Sequence, residues 1–332
     1  MSASGGERAH AALVLNPVKV DARRLRRALT ALSRRHGWAP PRFYETSIED
    51  PGQGVARAAI DAGAAAVLAA GGDGTIRAVA ETMCGTGVPF AVLPGGTGNL
   101  FARNLGLPLL DVERVVEGVF TGFTHPVDMG WARLSRPDGT QTEHGFVVLA
   151  GMGLDADMIA NTRAELKRTV GWVAYLDGAA RSLPGAKPFR VVYQIEDGRL
   201  HAARVHSMLF ANCGALPAGI ALLPDASLDD GAMDIAVIQP TGPLGWLGIW
   251  RKVWWDNSVL RRTRAGRRVL ERRDRDTSIR YLRGATAEAA MVAPTSIELD
   301  GDELGTAVRM VCRVERGGLT IALPAGHNTS RF

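Results

Sequence analysis

With three cysteines in 332 residues, Cys84, Cys213 and Cys312, the chain has too few sulfurs, too far apart and odd in number, for a disulfide framework or a structural zinc site. Reduced thiols suit a cytoplasmic location. Lysine is almost absent: it supplies four of the 39 basic residues and arginine the other 35, for a net charge of only +5. No recognisable nucleic-acid-binding motif accompanies that charge, so no nucleic-acid partner is expected. Long apolar runs are missing too. The two charge-free stretches, 82–102 and 206–224, are broken by Gly, Pro and Asn, whereas a spanning helix needs about 20 mostly apolar residues. The chain does not open on a basic segment followed by an apolar core, so no secretory signal is expected. G-x-x-x-x-G-K-S/T, G-x-G-x-x-G, HRD and DFG are all absent, which excludes a classical P-loop NTPase and a protein kinase.

What is present is an ordinary globular composition, 46% apolar and 22% charged, over a length that suits two domains. AALVLNPVKV, PRFYETS, AAVLAA and VPFAVLP have the pattern of strands. The segments between them, the basic stretch to Arg35, GVARAAIDAGA and IRAVAETMCG, have that of helices, followed by LFARNLGLP and LLDVERVVEGVF. Alternation of this kind predicts a parallel α/β sheet over residues 9–126, with ligands at the carboxyl ends of the strands. From about His125 the texture changes to short β-like runs with one helix at 161–183, which predicts an antiparallel second domain over 127–324. Residues 1–8 and 325–332 are expected to be flexible ends.

Two glycine-rich loops, GGDGT at 71–75 and GGTGN at 95–99, fall at strand ends that precede helices. Glycine lets backbone N–H groups come close to an anion, and the following helix presents its positive end. A carboxylate inside such a loop repels phosphate unless a divalent cation lies between them or the acid takes a proton from a nucleophile. Asp73 therefore predicts metal-assisted chemistry on phosphate, the alternative being an acid that caps the helix beginning near Thr75.

GGDGT, LPGGTGNLFARNLGLP at 93–108, NP at 16–17, VDMGW at 127–131, AGMGLDADMI at 150–159, GWVAYL at 171–176, LLPDASLDDGAMDIAVI at 222–238 and ELDGDELG at 298–305 stand in one order along nearly the whole chain. In this the sequence resembles the diacylglycerol kinase catalytic family of bacterial lipid kinases, related to sphingosine and ceramide kinases. The resemblance implies a phosphofructokinase- or NAD kinase-like α/β ATP domain, a C-terminal antiparallel β-sandwich that binds lipid, and an active site in the cleft between them. It also implies an ATP- and Mg2+-dependent transferase of phospholipid biosynthesis, acting on diacylglycerol or another lipid alcohol. By position, Asn16, Thr46, Gly71, Gly72, Asp73, Gly74, Thr75, Gly96, Thr97 and Asn99 would surround ATP. Asp302 would be the general base, with Glu303 beside it and Asp73 as the alternative base. A structural metal would take the Asp230 carboxylate and the backbone carbonyls of Ser227 and Ala232, and Asp73 and Asp128 would reach Mg2+ through water.

The sequence departs from the family pattern in three places: D-G-D replaces D-G-E, Ala78 replaces a common Glu with Glu81 one turn on, and Leu100 replaces a second acid after GTGN. Trp246, Trp250 and Trp254 recur every four residues, and 251–273 holds nine Lys or Arg, among them Arg261 and Arg262, against two acids. Such a segment suits peripheral contact with an anionic membrane at the cytoplasmic face, the alternative being core tryptophans beside a solvated arginine loop. A homodimer is left open. The competing functions are a soluble-substrate kinase of the NAD kinase type and a catalytically weak nucleotide- or lipid-binding regulator.

Overall fold

Four parallel strands, β1 (Ala11–Leu15), β2 (Arg42–Glu45), β3 (Ala66–Gly71) and β4 (Phe90–Pro94), order as β4-β3-β1-β2 in the computed structural model. The model describes residues 8–153, 188–214, 223, 226–239, 279–330 and 332. Every residue of β1 and β3 is buried, as expected of central strands covered on both faces. The helices are α1 (Ala22–Arg35), α2 (Gln53–Asp61), α3 (Asp73–Met83), α4 (Leu100–Asn104) and α5 (Val112–Thr121). Leu25, Leu29 and Ser33, spaced four apart, form the buried stripe of α1. Asp21 caps that helix by accepting from the Arg24 N–H, and Asp111 does the same for α5 through Arg114. This cap is why α5 begins at Val112 and not at the apolar pair before it.

The chain divides into two compact units, residues 1–127 with 317–332, and residues 128–316. The division differs from the linear boundaries at 126 and 324 because the last strand belongs to both units. β14 (Asp302–Leu323) runs 22 residues, and near its end Ile321 pairs in parallel with Phe90 of β4. The terminal residues beyond it are tied down as well. His327 Nε2 lies 2.8 Å from the Leu105 carbonyl, and the Phe332 ring meets His125 edge-on at 5.1 Å. His327 and Phe332 thus pack against other residues of the first unit.

The second unit is a β-sandwich of antiparallel strands: β5 (Phe123–Ser135), which enters from the first unit, β6 (Gln141–Phe146), β7 (Leu149–Met152), β8 (Phe189–Ile195), β9 (His201–Val205), β10 (Ser207–Ala211), β11 (Met233–Ile238), β12 (Ile279–Gly284), β13 (Thr286–Leu299) and the first part of β14. One run of pairings is β12-β11-β10-β7-β13. β13 also pairs with β8 through Ala287–Met291, and with β7 only after its register shifts near Thr295 and Ser296. An irregularity of this kind lets one strand bend and serve two layers. Tyr193, Phe210, Ile235, Ala289 and Met310 meet in the core. The expected helix at 161–183 lies outside the described residues.

Gly130 of β5 faces Phe146 of β6 in register, and a Cβ at Gly130 would overlap the Phe146 ring. Gly130→Ala is expected to lower stability by about 1–3 kcal/mol through overpacking, read as a lower denaturation midpoint.

Candidate active site

Asn16 follows β1, Thr46 follows β2, the first glycine loop follows β3 and the second follows β4. Parallel pairing brings all four to one edge of the first unit's sheet. The edge is stitched by backbone hydrogen bonds: Asn16 N–H to Ala70 O at 2.8 Å, Thr46 N–H to Leu15 O at 2.9 Å and Gly95 N–H to Gly71 O at 2.9 Å. Asn16 Oδ1 accepts from the Val18 N–H at 3.1 Å and so shapes the turn out of β1.

The two glycine loops touch each other. A Cβ on Gly96 would stand 2.9 Å from Gly72 Cα, and one on Gly71 would stand 2.7 Å from the Thr75 side chain. Only glycine permits this approach. Asp73 is the first residue of α3, yet it caps a different helix: its Oδ1 accepts from the Leu100 N–H, at the start of α4, at 2.6 Å. Its Oδ2 faces Gly98, where a Cβ would come within 2.7 Å. The carboxylate is therefore a clasp between the loops, a role that neither sequence alternative contained. Asn99, held at φ 48°, accepts from the Gly96 N–H and donates to the Gly96 carbonyl, each at 2.8 Å. Its amide is used within the loop. Thr75 is buried, Gly72 and Gly74 are half-buried, and Thr97 is exposed at the rim.

The two departures near the loops have local causes. Ala78 is 1% exposed where α3 meets the Gly52 backbone, at which a Cβ would come within 3.2 Å of the Ala78 methyl. Glu81 faces α2: Gln53 Nε2 donates to it at 2.8 Å and Arg77 Nη1 lies 3.4 Å away. Leu100 is buried, and only its backbone takes part in the clasp. Beside the loops lies a cleft of about 210 Å³, lined among others by Lys19, Asp21, Arg24, Ala70, Gly95 and Glu113. Arg24 Nη2 pairs with Glu113 at 3.0 Å and Lys19 is exposed. Sequence reasoning did not single out Lys19 and Arg24; the signal was their place directly after the first strand.

The remaining predicted residues sit in the second unit. Asp302, the first residue of β14, is exposed and pairs with Leu299, while Glu303 pairs with the buried Glu298. Side chains alternate along a strand, so Asp302 and Glu303 do not share a face. Asp128 is fully buried: its Oδ2 accepts from the Gly231 N–H at 2.6 Å and its own N–H donates to Leu228 O at 2.7 Å. It anchors the loop that carries Ser227, Asp230 and Ala232. In that loop Ser227 Oγ donates to Asp229 at 2.9 Å, Asp230 Oδ1 accepts from the Ala232 N–H at 3.1 Å, and Asp230 Oδ2 pairs with Arg283. Carboxylate and carbonyl oxygens are the right donor chemistry for Mg2+ or Ca2+. Here, however, both Asp230 oxygens are engaged and a guanidinium already supplies the positive charge, so the arrangement does not fit the implied structural metal. Among the described residues no three His, Cys, Asp or Glu side chains gather as metal ligands. Trp246, Trp250, Trp254, Arg261 and Arg262 lie outside the described residues.

Comparison with known proteins agrees with this architecture. Residues 10–132 match the diacylglycerol kinase catalytic domain model and residues 147–322 match the YegS C-terminal NAD kinase beta sandwich-like domain model. The chain is 30% identical over 175 residues to the diacylglycerol kinase of Bacillus subtilis (strain 168), covering 52% of this chain and 54% of that protein. It spans about half the length of the curated relatives that it matches. A solved diacylglycerol kinase structure from Bacillus anthracis str. Sterne superimposes with a TM-score of 0.68 at 17% identity, over 95% of this chain and 97% of that one. Yeast NADH kinase shares the fold at a TM-score of 0.54 and 11% identity, over 99% of this chain and 86% of that one.

The clasp predicts a graded response at Asp73. Asp73→Ala should cost about 1 kcal/mol, the usual loss of a helix cap, lowering the melting temperature by about 2–4 °C. Asp73→Asn should recover part of it, since an amide oxygen accepts the same bond. Gly96→Ala, which pushes the loops apart, should weaken ATP binding in calorimetry while the sandwich stays folded.

Proposed function

Since the chain belongs to the bacterial lipid kinase family defined by the diacylglycerol kinase catalytic domain, we propose that it transfers the γ-phosphate of ATP to a lipid hydroxyl, with diacylglycerol as acceptor and phosphatidic acid as product. The observation that carries the reading is the pair of clasped glycine loops at one sheet edge. Backbone N–H groups at the starts of α3 and α4 converge there, a setting suited to a polyphosphate.

Phosphoryl transfer is mostly positioning and neutralisation of charge. In the proposed reaction the loops from Gly71 to Thr75 and from Thr97 to Asn99 hold the phosphates through their amides, the Gly95 and Gly96 N–H groups being used within the loops. The Thr97 hydroxyl stands at the rim, and Lys19 adds positive charge from the neighbouring cleft. Bound Mg2+ would neutralise charge on the phosphate oxygens. Asp73, whose Oδ1 accepts from Leu100, would reach that ion through its water shell. Asp302 accepts the proton of the lipid hydroxyl as that oxygen attacks phosphorus. It is exposed at the start of β14, whereas Asp128 is fully buried.

A lipid acceptor requires access to a bilayer. Among the described residues no helix is long and apolar enough to cross a membrane, and peripheral docking through the Trp and Arg segment at 246–273, at the cytoplasmic face, is part of the proposal. The test is transfer of label from γ-labelled ATP with Mg2+ to mixed micelles of diacylglycerol, ceramide, sphingosine or phosphatidylglycerol, with NAD as the soluble control. Labelled diacylglycerol is expected. Label in NAD alone would establish the soluble-substrate kinase instead, and ATP binding without any product would establish the regulator. Asp302→Asn should reduce turnover on the order of a hundredfold or more.

A further inference from the structure

The proton acceptor proposed above sits two residues after Asp300, an acid that the sequence motif presents only as spacing. Leu299 pairs with Asp302 across the β13–β14 hairpin, and the two residues between them, Asp300 and Gly301, have φ of 50° and 91°. Two positive φ values in a two-residue loop define a type I′ turn, for which Asp-Gly is a favoured sequence. Such an aspartate ordinarily stands in water at the tip of its hairpin. Asp300 is instead 5% exposed.

Its carboxylate is occupied by three consecutive backbone amides: the Val147 N–H donates to Oδ2 at 2.8 Å, and the Val148 and Leu149 N–H groups donate to Oδ1 at 2.8 and 2.9 Å. The Asp300 N–H in turn donates to Leu149 O at 2.9 Å. Residues 147–149 form the junction from β6 into β7, where the chain leaves one ladder and enters the next. Their amides are buried, and buried amides must be paired. The network extends further, for the Cys213 Sγ–H donates to Val147 O at 3.0 Å and the Asn212 side chain also reaches that carbonyl at 3.3 Å. The Cys213 thiol is pushed far up by burial and by the charge of Asp300, so it stays a protonated donor.

We propose that Asp300 is the positioning residue for Asp302: it locks the tip of the hairpin to the β6–β7 junction and thereby fixes where the Asp302 carboxylate stands. The inference rests on the reading of Asp302 as the proton acceptor. Asp302 is one methylene shorter than the glutamate of the family motif, so its reach depends more on the placement of the turn than a longer arm would. Asparagine at position 300 cannot replace the carboxylate. One of its two terminal atoms is an NH2 group, which in either orientation faces a donating backbone N–H.

The test compares Asp300→Asn, Asp302→Asn and the double variant in the micelle assay with labelled ATP, alongside thermal melting and KM for ATP. Asp300→Asn should lower kcat on the order of tenfold to a hundredfold, as a misplaced reacting group does, with KM for ATP unchanged. The double variant should be no slower than Asp302→Asn alone, because the effect of Asp300 passes through Asp302. Wild-type kcat in Asp300→Asn, or losses that multiply in the double variant, would overturn the inference and leave Asp302 in its role. Wild-type kcat in Asp302→Asn would overturn the role of Asp302 itself. Should Asp300→Asn fail to fold, replacing Val147 by its α-hydroxy acid, which removes that single N–H, carries the same test. A drop in kcat supports the inference, and no drop overturns it.

Discussion

Two loops can lie backbone against backbone only where nothing projects between them, and the first unit depends on that constraint. A methyl group on Gly96 would stand 2.9 Å from Gly72 Cα, too close to be accommodated. Once they meet, the Gly95 N–H reaches Gly71 O, and Asp73 reaches across to the first amide of α4. The starts of two helices are thereby held side by side, each with amides that its own helix cannot satisfy. A carboxylate among glycines looked like a charge in need of a metal; the geometry gives it a backbone donor from the other loop first.

The second unit uses the same chemistry for another purpose. Asp128 and Asp300 are buried carboxylates satisfied by backbone N–H groups of distant segments, the loop at 228–231 for one and the junction at 147–149 for the other. A buried carboxylate without such donors would be costly; with them it fixes where a loop runs. Asp302 differs because it is exposed and lies beyond the anchored turn.

Much of the first unit was legible because its signals are local. Unbroken apolar runs marked the central strands, and the glycine loops fell at the strand ends where parallel sheets bind ligands; the Asp111 cap, which starts α5 after the apolar pair, was not read. The partner of Asp73 was not legible, since Leu100 lies 27 residues away and only pairing of β3 with β4 brings the loops together. Asp300 was hidden for the same reason: its three donors are about 150 residues earlier in the chain. A 22-residue strand that serves both units leaves no mark in composition, so the linear reading assigned it to the second unit. The Arg283 pairing with Asp230 likewise depends on the registry of β11 with β12, which places Asp234 opposite Arg283. Local patterns reveal which elements form; they do not reveal which carboxylate a distant amide will select.

The central claim is that the clasped glycine loops are the nucleotide site, and amide hydrogen exchange with and without ATP and Mg2+ measures it directly. Slower exchange confined to residues 71–76 and 95–101, with the neighbouring turn at 16–19, is the predicted result. Unchanged exchange at both loops in the presence of saturating ATP, with protection elsewhere in the chain, would contradict it.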